Sequence, residues 1–148
     1  MRNYKIRKAK ILDINKFLLS RNLIFNRNLM INKKKIDNLD HYIWWFTNLR
    51  ENFVMDIDKK TSIFFWHEVK KIKNKKIIIG GWHSNTERIN LYFVLYCLKW
   101  QLQYLKRKKL NYEWVAVTKK QNVAVQNLTS ILGYKEIKKN EKKKLNAN

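Results

Sequence analysis

The sequence has a single cysteine, no proline, three glycines and only 11 acidic residues among 148. The lone Cys97 excludes a disulfide within the chain and leaves too few thiolates for a zinc site, so no metal is expected. It also fits a reducing, intracellular setting. No apolar run approaches the roughly 20 residues of a membrane-spanning helix, and no apolar stretch of the signal-peptide kind follows the basic N-terminus. We therefore expect a cytoplasmic protein that does not enter a membrane.

Acidic residues are so few that the formal net charge reaches +22. Such a charge indicates an anionic partner: nucleic acid, an anionic membrane surface or a phosphorylated small molecule. Lys, Asn and Ile also dominate the composition, and together with the absence of proline this bias is typical of an AT-rich genome. On that second interpretation, many lysines merely occupy the exposed surface. The charge alone leaves both interpretations open.

The length predicts one folded domain over residues 1–138, followed by a basic tail over 139–148 that we expect to be disordered. Hydrophobic residues make up 45% of the chain, which is enough for a core. Apolar periodicity predicts an α/β fold with a mixed, mainly antiparallel sheet flanked by helices, in the order β-α-α-β-β-β-α-β-α-β. The predicted strands cover residues 4–9, 53–57, 62–72, 76–83, 112–118 and 134–137. The predicted helices cover residues 14–21, 91–105 and 121–132, together with a second helix that begins near residues 37–40 and extends to residue 49.

Several local features are predicted with these elements. Asp13 is expected to cap the first helix and Asn38 or Asp40 the second, while Gly133 ends the last helix in the left-handed conformation. Residues 22–35 form either a loop or an irregular helix, and residues 58–60 and 73–75 are turns. Cys97 is expected to be a small apolar residue rather than a nucleophile. The apolar stripe of the second helix is expected to contain Tyr42, Trp45, Phe46 and Leu49.

The stretch from residue 122 to 134, NVAVQNLTSILGY, has a helix between two predicted strands and resembles the C-terminal motif of the GNAT superfamily of N-acetyltransferases. The matching residues are Asn122, Ala124, Leu128, Leu132, Gly133 and Tyr134. The order of elements is similar to that of the same superfamily. The resemblance implies an acyltransferase fold that binds acetyl-CoA as the acyl donor.

In that superfamily the strands that correspond to residues 76–83 and 112–118 splay apart, and the pantetheine arm of the cofactor enters between them as an added strand does. Gly80 and Gly81 suit such a close approach of another backbone. The resemblance implies cofactor contacts from Trp82, His83 and Ser84 on the first strand and from Asn122. An Asn side chain can donate and accept hydrogen bonds there.

The phosphate-binding loop departs from the superfamily's pattern, Arg/Gln-x-x-Gly-x-Gly/Ala at the start of the long helix. Residues 84–93, SNTERINLYF, contain no glycine. The glycine positions fall either on Asn90 and Tyr92 or on Leu91 and Phe93. We prefer Asn90, because Asn tolerates the left-handed conformation better than Leu. Backbone N–H groups at the helix start and the guanidinium of Arg88 are expected to hold the phosphates.

Catalysis needs a group that takes a proton from the attacking amine. The candidate bases are His83, Glu68 and His67, and we place His83 first because it ends the strand where the thioester is expected. Many members of the superfamily use a Tyr as general acid seven residues after the Asn. Thr129 occupies that position here, so the role is lost or has moved.

A narrower resemblance lies in the N-terminal half, where Arg21-Asn22, Arg27, Asp40-His41 and Trp45-Phe46 are similar to an Arg-Asn…Val-Arg…Glu-His…Trp-Phe pattern. The pattern belongs to acetyltransferases of amino-sugar nucleotides in nonulosonate and surface-polysaccharide pathways, and Asp40 replaces its Glu. It implies an acceptor site that contains Arg21, Asn22, Arg27, His41 and Trp45.

Two classes of function follow. The first is acetyl transfer to an amine of a small molecule, with an amino-sugar nucleotide preferred and peptide N-termini as another acceptor. The second is a catalytically degenerate acetyltransferase fold that binds nucleic acid or protein. The missing glycines, the missing tyrosine and the charge of +22 favour the second class.

Overall fold

The computed structural model describes residues 3–137. The predicted tail over residues 139–148 lies outside them. The described elements are β1 (Tyr4–Lys8), a 3-10 turn (Ile11–Asp13), α1 (Ile14–Asn22), α2 (Ile24–Leu29), α3 (Asn38–Thr47), β2 (Glu51–Ile57), β3 (Lys60–Ile72), β4 (Lys75–Ser84), α4 (Leu91–Arg107), β5 (Glu113–Val115) and α5 (Val123–Ile131).

The five strands form one mixed sheet in sequence order, β1-β2-β3-β4-β5. The first three pairings are antiparallel, and β5 joins β4 in parallel. Both predicted hairpin turns are confirmed, and each contains residues with positive φ: Asp58 and Lys59 at 49° and 66°, and Lys73 at 54°. The α4 crossover places β5 beside β4, as a parallel connection requires.

Two cores lie on opposite faces of the sheet, because alternate side chains of a strand point to opposite sides. One core packs β2 and β3 against α4 and α5 and contains Phe53, Phe65, Val94, Cys97 and Leu128 among its buried residues. The other packs Phe17 of α1 against Val54 and Phe64, with Trp45 at its edge. Burial raises the pKa of the Cys97 thiol, which fits the prediction that Cys97 is not a nucleophile.

The C-terminal strands differ from the prediction. Only residues 113–115 of the predicted strand 112–118 pair with β4. Residues 134–137 form no strand, so the predicted last strand is wrong as far as the described chain goes. A three-residue β5 offers little edge for another strand to pair with.

Two predicted caps are also wrong. The Asp13 carboxylate caps nothing in α1; it accepts hydrogen bonds from Lys10 N at 2.8 Å and from Arg7 Nη1 at 2.6 Å. The cap of α3 is Asp37, whose Oδ1 accepts from Asp40 N at 2.8 Å. Asp37 fits because it has the extended backbone of an N-cap, whereas Asn38 and Asp40 already lie inside the helix.

The inward face of α3 is not the predicted stripe. Phe46 and Leu49 are 65% and 88% exposed, whereas His41 is buried against α1. His41 occupies this face because the carbonyl of Ile14 offers a hydrogen-bond partner 3.1 Å from its Nε2. Within the predicted stripe, Trp45 alone packs into the core, against Phe17.

Candidate functional site

A gap opens between β4 and β5 after three paired residues. Ile77 pairs with Glu113 and Ile79 with Val115, and β5 then ends. β4 continues through Ser84, paired on its other side with β3. Alternate residues of the stretch 80–84 therefore direct backbone groups toward the gap, where no described strand pairs with them, although the Ser84 carbonyl already accepts a hydrogen bond from Asn26 Nδ2 at 2.7 Å. The pairing stops where the two strands are predicted to splay apart.

Glycines begin the open stretch of β4, and tryptophans flank them on both faces of the sheet. A β-carbon on Gly80 would lie 2.6 Å from Trp114 Cζ2 and 2.7 Å from the Trp66 carbonyl oxygen. A β-carbon on Gly81 would lie 3.0 Å from Trp66 Cζ2. Side chains at these positions would displace the indoles and narrow the gap at its closed end.

A cavity of about 510 Å³ runs from the gap toward α1, the segment between α2 and α3, and α3. Within residues 3–137, no aspartate or glutamate lines it, whereas two arginines do, Arg21 and Arg50. Its wall contains four tryptophans. The predicted site residues that the structure brings together there are Arg21, His41, Trp82, His83 and Asn122.

His83 lines the cavity but is poorly suited to act as a base. Its Nδ1 lies 2.8 Å from Ser20 Oγ. Either group can donate in this hydrogen bond, depending on which ring nitrogen of His83 carries the proton. Burial, with smaller contributions from Arg21 and His41, lowers the pKa of His83 to about 3. His83 is therefore neutral, and the predicted base role does not fit its environment.

The tautomer of His41 is defined by a hydrogen bond to the backbone. Its Nε2 lies 3.1 Å from the Ile14 carbonyl, which can only accept, so Nε2 carries the proton. Burial lowers the pKa of His41 and keeps the ring neutral. The ring stacks on Trp44 with centroids 5.7 Å apart. Among the described residues Nδ1 has no partner, so His41 brings an acceptor nitrogen to the cavity wall.

The other two candidate bases lie outside the cavity lining. Glu68 forms ion pairs with Arg50 and Lys70 at 3.6 Å and 3.5 Å. His67 is buried below α4, with Nε2 2.9 Å from Glu51 Oε2 and Nδ1 3.0 Å from Gln101 Nε2. Neither residue is placed to meet a substrate, and both have structural partners.

Arg50 is a cavity residue that sequence reasoning missed. Its guanidinium carbon lies 3.4 Å from the ring centroid of Trp66 and 4.7 Å from that of Trp44. Its Nε is buried without a hydrogen-bond partner, since the Glu68 carboxylate at 3.6 Å is beyond hydrogen-bond range. Burial lowers the pKa of Arg50, and Glu68 opposes that shift. Arg50 remains a cation held between two indoles.

Asn122 is both a helix cap and part of the cavity wall. Its Oδ1 accepts from Val125 N at 3.3 Å at the start of α5. Its amide nitrogen has no partner in residues 3–137 and can donate to a ligand. Thr129 also lines the cavity, but its hydroxyl is engaged by the carbonyls of Val125 and Gln126, at 3.0 Å and 2.9 Å.

Tyr134, the residue after Gly133, contributes a phenol to the wall of the cavity. Burial raises its pKa, so the hydroxyl stays protonated at neutral pH. The sequence suggested it only as part of the Leu-Gly-Tyr helix end. Gly133 has φ of 83°, which confirms the predicted left-handed end of α5 and turns the chain toward the cavity.

Three predicted acceptor residues instead hold the segment that joins α2 to α3. Arg21 Nη2 donates to Asn32 O at 2.8 Å, and Arg27 Nε donates to Lys33 O at 2.9 Å. The Asn22 amide makes two hydrogen bonds with the backbone of Ile36, at 2.7 Å and 3.0 Å. Of the three, Arg21 alone lines the cavity. Trp45 lies in the core beside Phe17 rather than in the cavity wall.

The start of α4 differs from the predicted phosphate loop. Asn90 has φ of −66° and caps the helix, with Oδ1 2.9 Å from Tyr92 N, so the left-handed conformation expected for it is wrong. The Ser84 hydroxyl donates to Thr86 O at 2.6 Å. Arg88 is exposed. None of Ser84, Arg88 and Asn90 is part of the cavity wall.

Residues 3–137 contain neither a metal site of clustered side chains nor a membrane-spanning helix. No group of three or more His, Cys, Asp and Glu side chains in this range is arranged to hold a metal ion. None of the helices found there has the length and apolar character needed to cross a membrane.

Solved structures of acetyltransferases share this architecture. An N-acetyltransferase from Staphylococcus aureus Mu50 superposes with a TM-score of 0.73 at 18% identity, covering 92% of this chain and 86% of that one. An acetyltransferase of the GNAT family from Streptococcus pneumoniae gives 0.71 at 11%, covering 88% and 83%. A predicted acetyltransferase from Clostridium acetobutylicum, solved with acetyl-CoA, gives 0.68 at 14%, covering 94% and 93%.

No protein-family model matches the sequence, and no curated protein does. The structural similarity is extensive, but all three identities lie below 20%. It therefore shows the fold: a five-stranded, mostly antiparallel sheet flanked by helices, as in the GNAT acetyltransferases.

Proposed function

We propose that the protein is an N-acetyltransferase that transfers an acetyl group from acetyl-CoA to the amine of a small molecule, an amino-sugar nucleotide being the preferred acceptor. The observation that carries the proposal is the open edge of β4 over residues 80–84, which adjoins a cavity of about 510 Å³. An extended chain can pair with such an edge as an added strand. The pantetheine arm of coenzyme A has amides that suit this pairing.

The residues present fit the pantetheine part of the cofactor. Gly80 and Gly81 leave the closed end of the gap without side chains, and the Asn122 amide nitrogen on the opposite wall is available as a donor. Trp82 and His83 complete the β4 side. When bound, acetyl-CoA supplies a thioester that an amine attacks.

The fit is weaker where the phosphates would lie. The Asn90 side chain takes the Tyr92 N–H, one of the donors at the start of α4. We propose that Arg88, which is exposed, and the remaining backbone donors of residues 84–90, including the Ser84 region, hold the phosphates.

Within this proposal, one side chain takes the proton from the attacking amine and another gives a proton to the leaving thiolate. His41 accepts the amine proton on Nδ1, since Nε2 is fixed as a donor by Ile14. Burial lowers the pKa of His41 as it does that of His83, but the hydrogen bond to Ile14 opposes the shift in His41. Tyr134 is the protonated hydroxyl in the cavity wall that can donate to the leaving thiolate, the role that Thr129 cannot fill. His83 stays neutral and contributes its imidazole to the cavity wall.

The acceptor is proposed from the charge and chemistry of the cavity. Two arginines and no acidic residue line the described cavity, which favours an anionic acceptor. Its tryptophans offer apolar faces to a sugar ring. Asn22 and Arg27 serve this site indirectly, by holding the segment between α2 and α3 against it.

Thermal stabilisation tests the proposal. The protein is melted with acetyl-CoA, with free CoA and with a panel of UDP-amino sugars, and acetyl transfer is then assayed on those sugars and on peptides. A ligand at 100 times its dissociation constant should add about 2.7 kcal/mol of stability. Turnover of peptides alone would reject the sugar acceptor. No stabilisation by either coenzyme, with salt-dependent binding of DNA, would favour the binding-module alternative.

A further inference from the structure

The acceptor end of the cavity contains two cations whose hydrogen-bonding capacity is incompletely used. Arg21 Nη1 is buried and has no hydrogen-bond partner, although Nη2 is bonded to Asn32. The Arg50 guanidinium makes no hydrogen bond to any residue from 3 to 137, and its Nε is buried. Buried donors without partners are costly, and buried charges are normally paired. Glu68, 3.6 Å from Arg50 Nε, offsets part of the Arg50 charge but leaves its terminal N–H groups without a partner in residues 3–137. An anion from outside the chain would satisfy these groups and Arg21 Nη1.

The position of Arg50 is fixed by its neighbours. Trp66 and Trp44 lie against the guanidinium, with ring centroids 3.4 Å and 4.7 Å from Cζ, and Glu68 lies beside Nε. A planar guanidinium held in this way keeps one orientation, so its remaining N–H groups point in a defined direction. Arg50 therefore has the preorganisation expected of a binding residue.

This cation is separate from the region proposed for the cofactor phosphates. Trp66 packs over Gly81, at the closed end of the gap. The region proposed for the phosphates begins at Ser84, three residues further along β4. At about 3.3 Å per residue, that region begins roughly 10 Å from Gly81. An anion bound at Arg50 would therefore lie apart from the cofactor phosphates.

We propose that Arg50, held between Trp44 and Trp66, binds an oxyanion of the acceptor, either a phosphate or a carboxylate, and so selects anionic amines. The inference rests on the proposed function, because the anion belongs to the molecule that receives the acetyl group. A purely structural alternative makes Arg50 a link between α3, β2 and β3, neutralised by Glu68. The two interpretations differ in what the loss of Arg50 does to ligand selectivity.

The test compares Arg50→Met with Arg107→Met. Arg107 is exposed at the end of α4, so both variants lose one positive charge from the same +22 chain. Each protein is saturated with free CoA and titrated calorimetrically with three amino sugars. Glucosamine carries no anion, UDP-glucosamine carries phosphates and muramic acid carries a carboxylate. Saturation with CoA prevents the probes from occupying the cofactor's phosphate region.

We expect wild type and Arg107→Met to bind at least one anionic probe about 10 to 100 times more tightly than glucosamine, and Arg50→Met to lose that preference. The probe that loses affinity identifies the oxyanion as phosphate or carboxylate. An anion preference that survives in Arg50→Met, or a wild type with no preference, overturns the proposal.

Two controls separate this result from other failures. Arg50→Lys keeps the charge and much of the packing but loses the planar fork, so it should fold as wild type while its anion preference falls. Affinity for CoA should stay within about twofold in all variants, because Arg50 lies apart from the region proposed for the cofactor phosphates. A wild type that binds no CoA contradicts the proposed function, whereas normal CoA binding with unchanged selectivity contradicts only the role of Arg50.

Discussion

Gly80 and Trp114 are in such close contact that a β-carbon on Gly80 would lie 2.6 Å from Trp114 Cζ2. On the other side the carbonyl of Trp66, at 2.7 Å, is backbone and cannot rotate away. The width of the gap at its closed end therefore depends on the absence of a side chain at one residue.

Gly80→Ala should destabilise the protein by about 1–3 kcal/mol, as overpacked substitutions do. It should also weaken acetyl-CoA binding, because Trp114 must move into the gap. Urea denaturation and calorimetric titration measure the two effects. Gly133→Ala is the matched control, since φ of 83° makes alanine strained there although its β-carbon meets nothing within 4 Å. Equal losses of coenzyme affinity in both variants would contradict the account.

Asn122 should have two separable roles, because one end of its amide caps α5 and the other is available to a ligand. Asn122→Ala should lose about 1 kcal/mol of stability together with coenzyme affinity. Asn122→Asp keeps an oxygen that can accept from Val125 N but has no N–H to donate. Its melting temperature should therefore approach that of wild type while coenzyme binding stays impaired. Full recovery of binding in the Asp variant would leave Asn122 with a capping role only.

His83 should make stability depend on pH. Its folded pKa is about 3 and its unfolded pKa is about 6.5, so below pH 6.5 the unfolded chain binds a proton that the folded chain does not. Its contribution is therefore complete above pH 6.5 and is lost as the pH falls toward 3. Between pH 5.5 and 4.5, His83→Asn should lower the slope of unfolding free energy against pH by about 1.4 kcal/mol per unit.

Ser20→Ala is the control for that measurement, because it removes the hydrogen bond to Nδ1 and leaves the titrating imidazole in place. Its slope should match that of wild type, since the other acidic and histidine side chains with depressed pKa values, His41, His67, Asp13 and Glu51, are unchanged. Equal slopes in wild type and His83→Asn would show that His83 is protonated in the folded protein.

The hairpins could be predicted because their signals are local. Alternating β-branched and aromatic residues marked β3 and β4, and the turn at residues 73–75 was evident from Lys-Asn-Lys. A two-residue turn at 73 and 74 also fixes the pairing of Trp66 with Gly81 and of Phe64 with His83. An aromatic residue opposite a glycine was thus a usable signal for the closed end of the gap.

Features that depend on tertiary partners could not be predicted in the same way. Periodicity favoured Phe46 and Leu49 for the inward face of α3. The structure instead turns His41 inward, where its Nε2 donates a hydrogen bond to the Ile14 carbonyl. The aromatic pair around Arg50 unites Trp44 and Trp66, which are 22 positions apart in the sequence. No spacing rule connects them.

The N-terminal motif shows a second limit of predicting a site from the sequence. Two of its residues, Arg21 and His41, line the cavity, but it assigned to Asn22 and Arg27 a ligand contact where the structure has hydrogen bonds to backbone carbonyls. A pattern of residue types does not distinguish a side chain that holds a loop from one that binds a substrate. The hydrogen-bond partner of each side chain in the structure distinguishes these two roles.

Amide hydrogen exchange with and without acetyl-CoA tests most directly whether the gap between β4 and β5 holds the cofactor. If the pantetheine arm pairs with the open edge of β4, exchange should slow at those amides of residues 80–84 that do not already face β3, and in residues 116–118 on the facing wall. The β1–β2 pairing, which is already complete, should exchange at the same rate in both conditions. Protection confined to other segments, or no protection at coenzyme concentrations that saturate the protein, would contradict the account.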